Sequence, residues 1–148
     1  MGTGGARVVA VSVSGRKGER KSPVLRANFV PGHGVERDAH AGPGHRQVSL
    51  LATESIAKMR EKGIAVGPGD FAENVTVEGI DLTALKVGDR LRVGEAVVEI
   101  SQIGKECHDR CAIYFQAGDC VMPREGVFAR VVRGGVVAPG DPVAMDGE

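Results

Sequence analysis

The sequence has no tryptophan, one tyrosine and four phenylalanines among 148 residues, so its interior must be built mainly from aliphatic side chains. The same scarcity argues against the aromatic platforms on which single-stranded nucleic acids stack. Neither sign of charge is in excess, because 19 Lys and Arg balance 19 Asp and Glu. A neutral chain lacks the general field that draws proteins to nucleic acids or anionic membranes; neither is expected as a partner, and any anion site must be local. Long apolar runs are also missing. The stretch Val8 to Val13 is interrupted by Ser12 and is too short for a membrane span or a secretory leader. A soluble, cytoplasmic protein is expected. The three cysteines, an odd number, are close together in sequence, which argues against a secreted disulfide framework and for reduced thiols open to metal or nucleophilic chemistry.

What is present reads as one domain. A chain of this length buries roughly 70% of its unfolded surface without needing a staple. Residues 1–6 are expected to be a flexible end, 7–145 the domain and 146–148 a tail. The 22 glycines and seven prolines are spread along the chain and punctuate short β-branched runs. Strands are predicted at Arg7–Ser14, Leu25–Val30, "QVSLL", around Val75 and Val77, on both sides of Gly94 within Leu91–Ser101, and as a hairpin over Val127–Val137 bending at Gly134-Gly135. One helix is predicted from Thr53 through Lys62, with Ile56 and Met59 on its apolar stripe and Gly63 placed to end it. The basic stretch "GRKGERKSP" reads as a solvated loop, which only a converging acid or phosphate would make more. Arg130 and Arg133 lie an odd number apart and are expected on opposite sides of a regular strand. About eight short strands with so little helix predict a mainly β fold, a single barrel with one or two short helices.

Chemistry-bearing residues fall into four groups. The thiols are spaced Cys107-x3-Cys111-x8-Cys120, with His108 beside the first. Paired C-x2-C knuckles are missing, so a zinc-stabilised β-domain using Cys107, His108, Cys111 and Cys120 ranks below a single functional cysteine. Lys105, Arg110 and Arg124 are near enough in sequence to favour a thiolate. Cys120 reads as a packing residue. The loop "DAHAGPGHRQ" gathers Asp38, His40, His45 and Arg46 around Gly42 and Gly44. Asp38, His40 and His45 offer a divalent metal a carboxylate and two imidazoles; the same glycine-rich turn equally suits a phosphate or pterin-type anion. Glu73 and Asn74 in "FAENVT" either fix a polar ligand or satisfy backbone groups at a turn. Arg124, in the proline-bounded turn "MPREG", is the best placed of the later arginines to meet a ligand.

Taken in order, "VVAVSVS", "KGERKSP", "DAHAGPGHRQVSLL", "GDFAENVTVEGIDL", "LKVGDRLRVGEAVVEISQIGKECH" and "GDCVMPREGVFARVVRGG" resemble the MOSC domain, named for the C-terminal domain of molybdenum cofactor sulfurase, and in particular its short stand-alone bacterial members. The resemblance implies a β-rich barrel and a role in molybdenum or tungsten pterin cofactor chemistry, with an essential cysteine that ligates the metal or carries sulfur. In related amidoxime reductases that cysteine sits in a C-S-R-C-I run. The matching piece here is "HDRCAI", which places the role and the metal bond on Cys111, with Cys107 its rival. By the same resemblance His40 and His45 would orient or exchange protons, and Asp38, Gly42, Gly44, Arg46, Glu73, Asn74 and Arg124 would line the cofactor pocket. A cysteine desulfurase or a molybdenum or tungsten enzyme would be the partner. Pyridoxal phosphate is not expected, because the chain has no room for the aminotransferase-like domain of full sulfurases. A sulfur-carrier or transferase activity in cofactor maturation and a non-catalytic carrier both remain open.

Overall fold

The stretch VSLLA exposes none of its residues, and the fold is arranged around it. The computed structural model describes residues 5–15, 20–39, 41–44, 46–63, 65–104 and 126–146. In chain order the elements are β1 (Arg7–Val13), β2 (Ser22–Val24), β3 (Ala27–Val30), β4 (Gly34–Val35), β5 (Val48–Ala52), α1 (Thr53–Glu61), β6 (Val75–Glu78), a 3-10 turn (Leu82–Ala84), β7 (Arg90–Val93), β8 (Ala96–Ile103), β9 (Val127–Arg133), β10 (Gly135–Val137) and β11 (Val143–Met145). Eight strands form one sheet in the order β11-β7-β8-β9-β5-β6-β1-β2, and β10-β3-β4 form a second.

Alternation along the strands divides the side chains. Val48, Leu50 and Ala52 join Val8, Val11, Val75, Val77, Val98, Ile100, Ala129 and Val131 in the main core, which is aliphatic apart from Phe29. Ser49 and Leu51 point the other way. There α1 lies across the outer face, and Ile56 and Met59, three residues apart, close a smaller cluster over Leu51, Val66, Phe71 and Phe128. The helix is also the crossover that lets β5 and β6 run parallel, with Leu50 beside Val75 and Ala52 beside Val77. It ends two residues before Gly63, whose φ of 88° ordinary side chains avoid.

Several expectations need correction. A mainly β fold with one α-helix is present, but the strand pairing leaves both sheets open and no closed barrel forms among the described residues. The segment before β11 does reach β1, through an isolated bridge between Arg7 and Pro142 and bonds from Val8 N to Asp141 O and Val143 N to Ala6 O. Pro142 has no N–H to donate, which limits that contact as a ladder. The expected hairpin over Val127–Val137 is not one: β10 leaves β9 and pairs with β3, Gly135 opposite Phe29. A side chain at Gly134 would sit 2.8 Å from the Phe29 carbonyl oxygen, so the crossing between sheets requires glycine there. Lys21, read as part of a solvated loop, is 3% exposed and immediately precedes β2. Finally, β9 carries an extra residue at Val132, between the pairs Val98–Val131 and Val97–Arg133. This bulge resets the alternation, so Arg130 and Arg133 share one face.

Leu50→Ala should therefore cost about 2–5 kcal/mol in urea unfolding, whereas Leu25→Ala, at a site 90% exposed, should change stability by about 0.5 kcal/mol or less. Equal losses at the two positions would contradict the placement of the core.

Candidate functional site

Two charged side chains meet where β1 ends, β2 begins and the loop 36–47 starts. Lys21 Nζ donates to Asp38 Oδ1 at 2.8 Å, and both side chains are fully buried. Lys21 Nζ also donates to Ser14 Oγ at 3.2 Å, and the Ser14 amide donates to Asp38 Oδ1 at 3.0 Å. Burial acts to raise the Asp38 pKa, but the Lys21 ammonium, the Ser14 amide and Asn74 together outweigh it and hold the carboxyl below its ordinary 3.8. Lys21 therefore meets the converging acid that distinguishes it from a solvated lysine. Its sequence context, one more cation before Ser-Pro, carries no signal of that role.

Asn74 and Glu73 continue the buried polar network. The Asn74 amide nitrogen donates to the Ser12 carbonyl at 3.1 Å, and its oxygen accepts from the Ser49 amide at 3.0 Å, joining β1 to β5. The Glu73 carboxylate accepts from Gly69 N at 3.0 Å, Phe71 N at 3.2 Å and Thr76 Oγ1 at 2.8 Å. Burial pushes its pKa above the ordinary 4.5 despite these three bonds. Neither residue reaches the surface. Gly69 itself has a φ of 88°, and a Cβ there would overlap the Lys21 carbonyl oxygen, while the Lys21 amide donates to Gly69 O at 2.8 Å. The loop before β6 is thus clasped against the residue that holds Asp38.

The glycine-rich loop offers its own chemistry. The Gly42 amide is used, donating to the His33 carbonyl at 2.7 Å, so it is not a spare anion donor. Gly44, with φ 128°, has open space where a Cβ would stand, and its carbonyl accepts from Gln47 Nε2. Gln47 is buried and its Oε1 accepts from Val131 N, which pins the loop exit to β9. Exposed Arg46 lies with its guanidinium carbon 5.1 Å from the centre of the Phe128 ring and donates to Gln102 Oε1 at 3.0 Å. Gln102 in turn donates to Gly104 O, and Gly104 N donates to Gly126 O at 2.6 Å. That bond closes the base of the β8–β9 hairpin, from which residues 105–125 depart. Among the predicted site residues, Asp38, Gly42, Gly44, Arg46, Glu73 and Asn74 are described; His40, His45, Cys107, Cys111 and Arg124 lie outside the described residues, as do His108 and Cys120. Lys21, Ser14 and Gln102 are additions made by the structure, whereas Gln47 belongs to the loop already singled out in the sequence.

A separate cavity of about 480 Å³ lies between the first turn of α1 and residues 79–83. Its two carboxylates are engaged locally: Glu54 accepts from Gly79 N, and Asp81 from Thr83 N. No cluster of three metal-ligating side chains occurs among the described residues, and no helix there is long and apolar enough to cross a membrane.

The described residues thus form a mainly β fold with one crossover helix and a buried Lys–Asp clasp at the root of the loop 36–47. The same fold occurs in the crystal structure of YUAD from Bacillus subtilis, 20% identical over 93% of both chains with a TM-score of 0.77. YiiM from Geobacillus stearothermophilus is 21% identical, covering 97% of this chain and 76% of its own, with a TM-score of 0.71. YiiM from Escherichia coli is 20% identical, covering 96% and 70%, with a TM-score of 0.66. No curated protein matches the sequence significantly. A sequence model of the MOSC domain matches residues 36–144, and the chain belongs to that family.

The buried pair yields two predictions. Lys21→Met alone should cost about 3–5 kcal/mol at neutral pH by stranding the Asp38 charge, and adding Asp38→Asn should recover most of that loss; a double variant no more stable than the single would refute the clasp. Glu73 has the opposite sign to Asp38. Its raised pKa means that its contribution is intact below 4.5 and declines as pH rises through the folded value, so the stability of Glu73→Gln relative to the parent should improve from acid to neutral pH.

Proposed function

We propose that this protein binds a molybdenum or tungsten pterin cofactor, or handles sulfur destined for it, through a thiolate or persulfide on Cys111. The observation that supports this reading best is the Arg46 bridge. The loop that carries His40 and His45 and the hairpin whose connection carries Cys111 are joined through Arg46, Phe128 and Gln102. Membership of a family associated with molybdenum cofactor chemistry also supports it.

The described residues suit the anionic end of such a cofactor. Arg46 has no carboxylate partner among them, and open space beside Gly44 lets an anion approach the backbone. A guanidinium presents several donors in a fixed plane, which fits phosphate better than a point charge. Arg124 would add a second cation, and His40 and His45 would hold or move protons at the ligand. When bound, the cofactor supplies a soft metal and dithiolene sulfur, for which a cysteine thiolate is the matching protein ligand. In sulfur handling, the Cys111 thiolate attacks the outer sulfur of a donor persulfide, the new S–S bond forms on Cys111, and the donor thiolate leaves. A cysteine desulfurase fits as donor and a molybdenum or tungsten enzyme as recipient. Asp38, Glu73 and Asn74 act from beneath: their buried bonds fix the loop rather than touch the ligand.

Mixing the protein with isolated pterin cofactor and following co-elution of pterin fluorescence and metal tests this. Arg46→Ala should weaken pterin retention roughly tenfold, about the worth of one charge-assisted contact, and Cys111→Ser should release metal or block persulfide uptake. Unchanged binding and uptake in a Cys111→Ala/Cys107→Ala variant would end the thiolate role.

A further inference from the structure

The bulge at Val132 creates a surface that strict alternation would not. On the outer face of the main sheet, Glu99 of β8 stands between Arg90 of β7 and Arg130 of β9, and Val97 stands between Arg92 and Arg133. All four arginines are exposed, while outward-facing Val97 is only 3% exposed between two of them. Arg46 extends the same face, because Phe128 precedes Arg130 by two residues on β9 and carries the Arg46 guanidinium. Five guanidinium groups therefore share one face of a chain whose formal net charge is zero.

Little on the face neutralises them. Arg90 meets Glu99 at 3.4 Å and Arg92 meets Asp146 at 3.1 Å; both arginines are more than half exposed, and such surface pairs contribute about 0–1 kcal/mol. Such pairs exchange readily for an incoming carboxylate. Arg46, Arg130 and Arg133 have no carboxylate within ion-pair distance among the described residues.

We propose that this face docks a protein partner presenting an acidic patch. Two features favour protein over nucleic acid. Glu99 and Asp146 lie within the arginine array, where a continuous track of phosphates would run against them but a mixed protein surface can place donors. An exposed apolar side chain, Val132 on the bulge, stands beside the array, and arginine is itself enriched at protein interfaces. Because Arg46 abuts Gln102 and, through it, Gly104, a partner seated here lies beside the base of the cysteine-bearing connection. Long-range attraction by the array speeds encounter, and the embedded acids select orientation.

The test uses the full chain and measures fluorescence anisotropy of a labelled glutamate-rich peptide with interspersed leucines, alongside a labelled DNA duplex of equal charge. The peptide should bind, weaken as salt rises, lose roughly tenfold or more affinity with Arg130→Gln/Arg133→Gln, tighten with Glu99→Gln, and be unaffected by Arg26→Gln on the distant β2–β3 connection. Absence of binding at low salt, wild-type affinity in the Arg130→Gln/Arg133→Gln variant, or tighter binding of the duplex would overturn the proposal. No pterin or metal enters the assay, so its outcome is separate from that of the cofactor reading.

Discussion

The buried contact between Lys21 and Asp38 is the constraint on which the site depends. Removing two charges from water is costly, and attraction repays that cost only with good geometry and additional hydrogen bonds. Both conditions are met: the ions are 2.8 Å apart, and Ser14 supplies an amide to the acid and a hydroxyl to the base. Through these atoms the end of β1, the start of β2 and the root of the loop 36–47 are held in one arrangement. The Lys21 backbone adds a fourth segment by bonding Gly69.

The remaining architecture separates cohesion from chemistry. The inner face of the main sheet is a close aliphatic core, and it requires no polar assistance. The outer face carries the varied chemistry: α1 over its middle, the Asn74 and Glu73 network beside it, and arginines across β7 to β9. Glu73 illustrates the cost of that arrangement. Its carboxylate receives three hydrogen bonds, yet burial still raises its pKa, so it is tolerated there as a fastening for the loop before β6. Gln47 and Gln102 carry the network onward to β9 and to the hairpin base.

Local features were legible in the sequence. The helix was expected at Thr53–Lys62 and occupies Thr53–Glu61, because Ile56, Met59 and Gly63 carry both its stripe and its stop. The turn at Gly94 between β7 and β8 was equally clear, with a φ of 59° that glycine accommodates. What escaped was non-local. No short window reveals that β6 joins β5 in parallel, that β10 crosses to pair with β3, or that the sheet stays open beside Pro142. The candidate site follows the same rule. Asp38, Arg46, Glu73 and Asn74 stood out by residue type, but Lys21 became distinctive only once the fold brought an acid to it. The amide of Gly42 looked free until the His33 carbonyl was placed against it. The shared face of Arg130 and Arg133 rests on one extra residue in a strand, which pattern alone does not show.

The chemical composition of the native protein tests most directly the proposal that this chain holds a molybdenum or tungsten pterin cofactor with Cys111 as its thiolate. Protein purified from its own host should be analysed for metal and for pterin on the same sample. The account predicts molybdenum or tungsten together with pterin, near one equivalent per chain. Zinc near one equivalent, without pterin and with unfolding on chelation, would contradict it and assign the cysteines to a structural metal site instead.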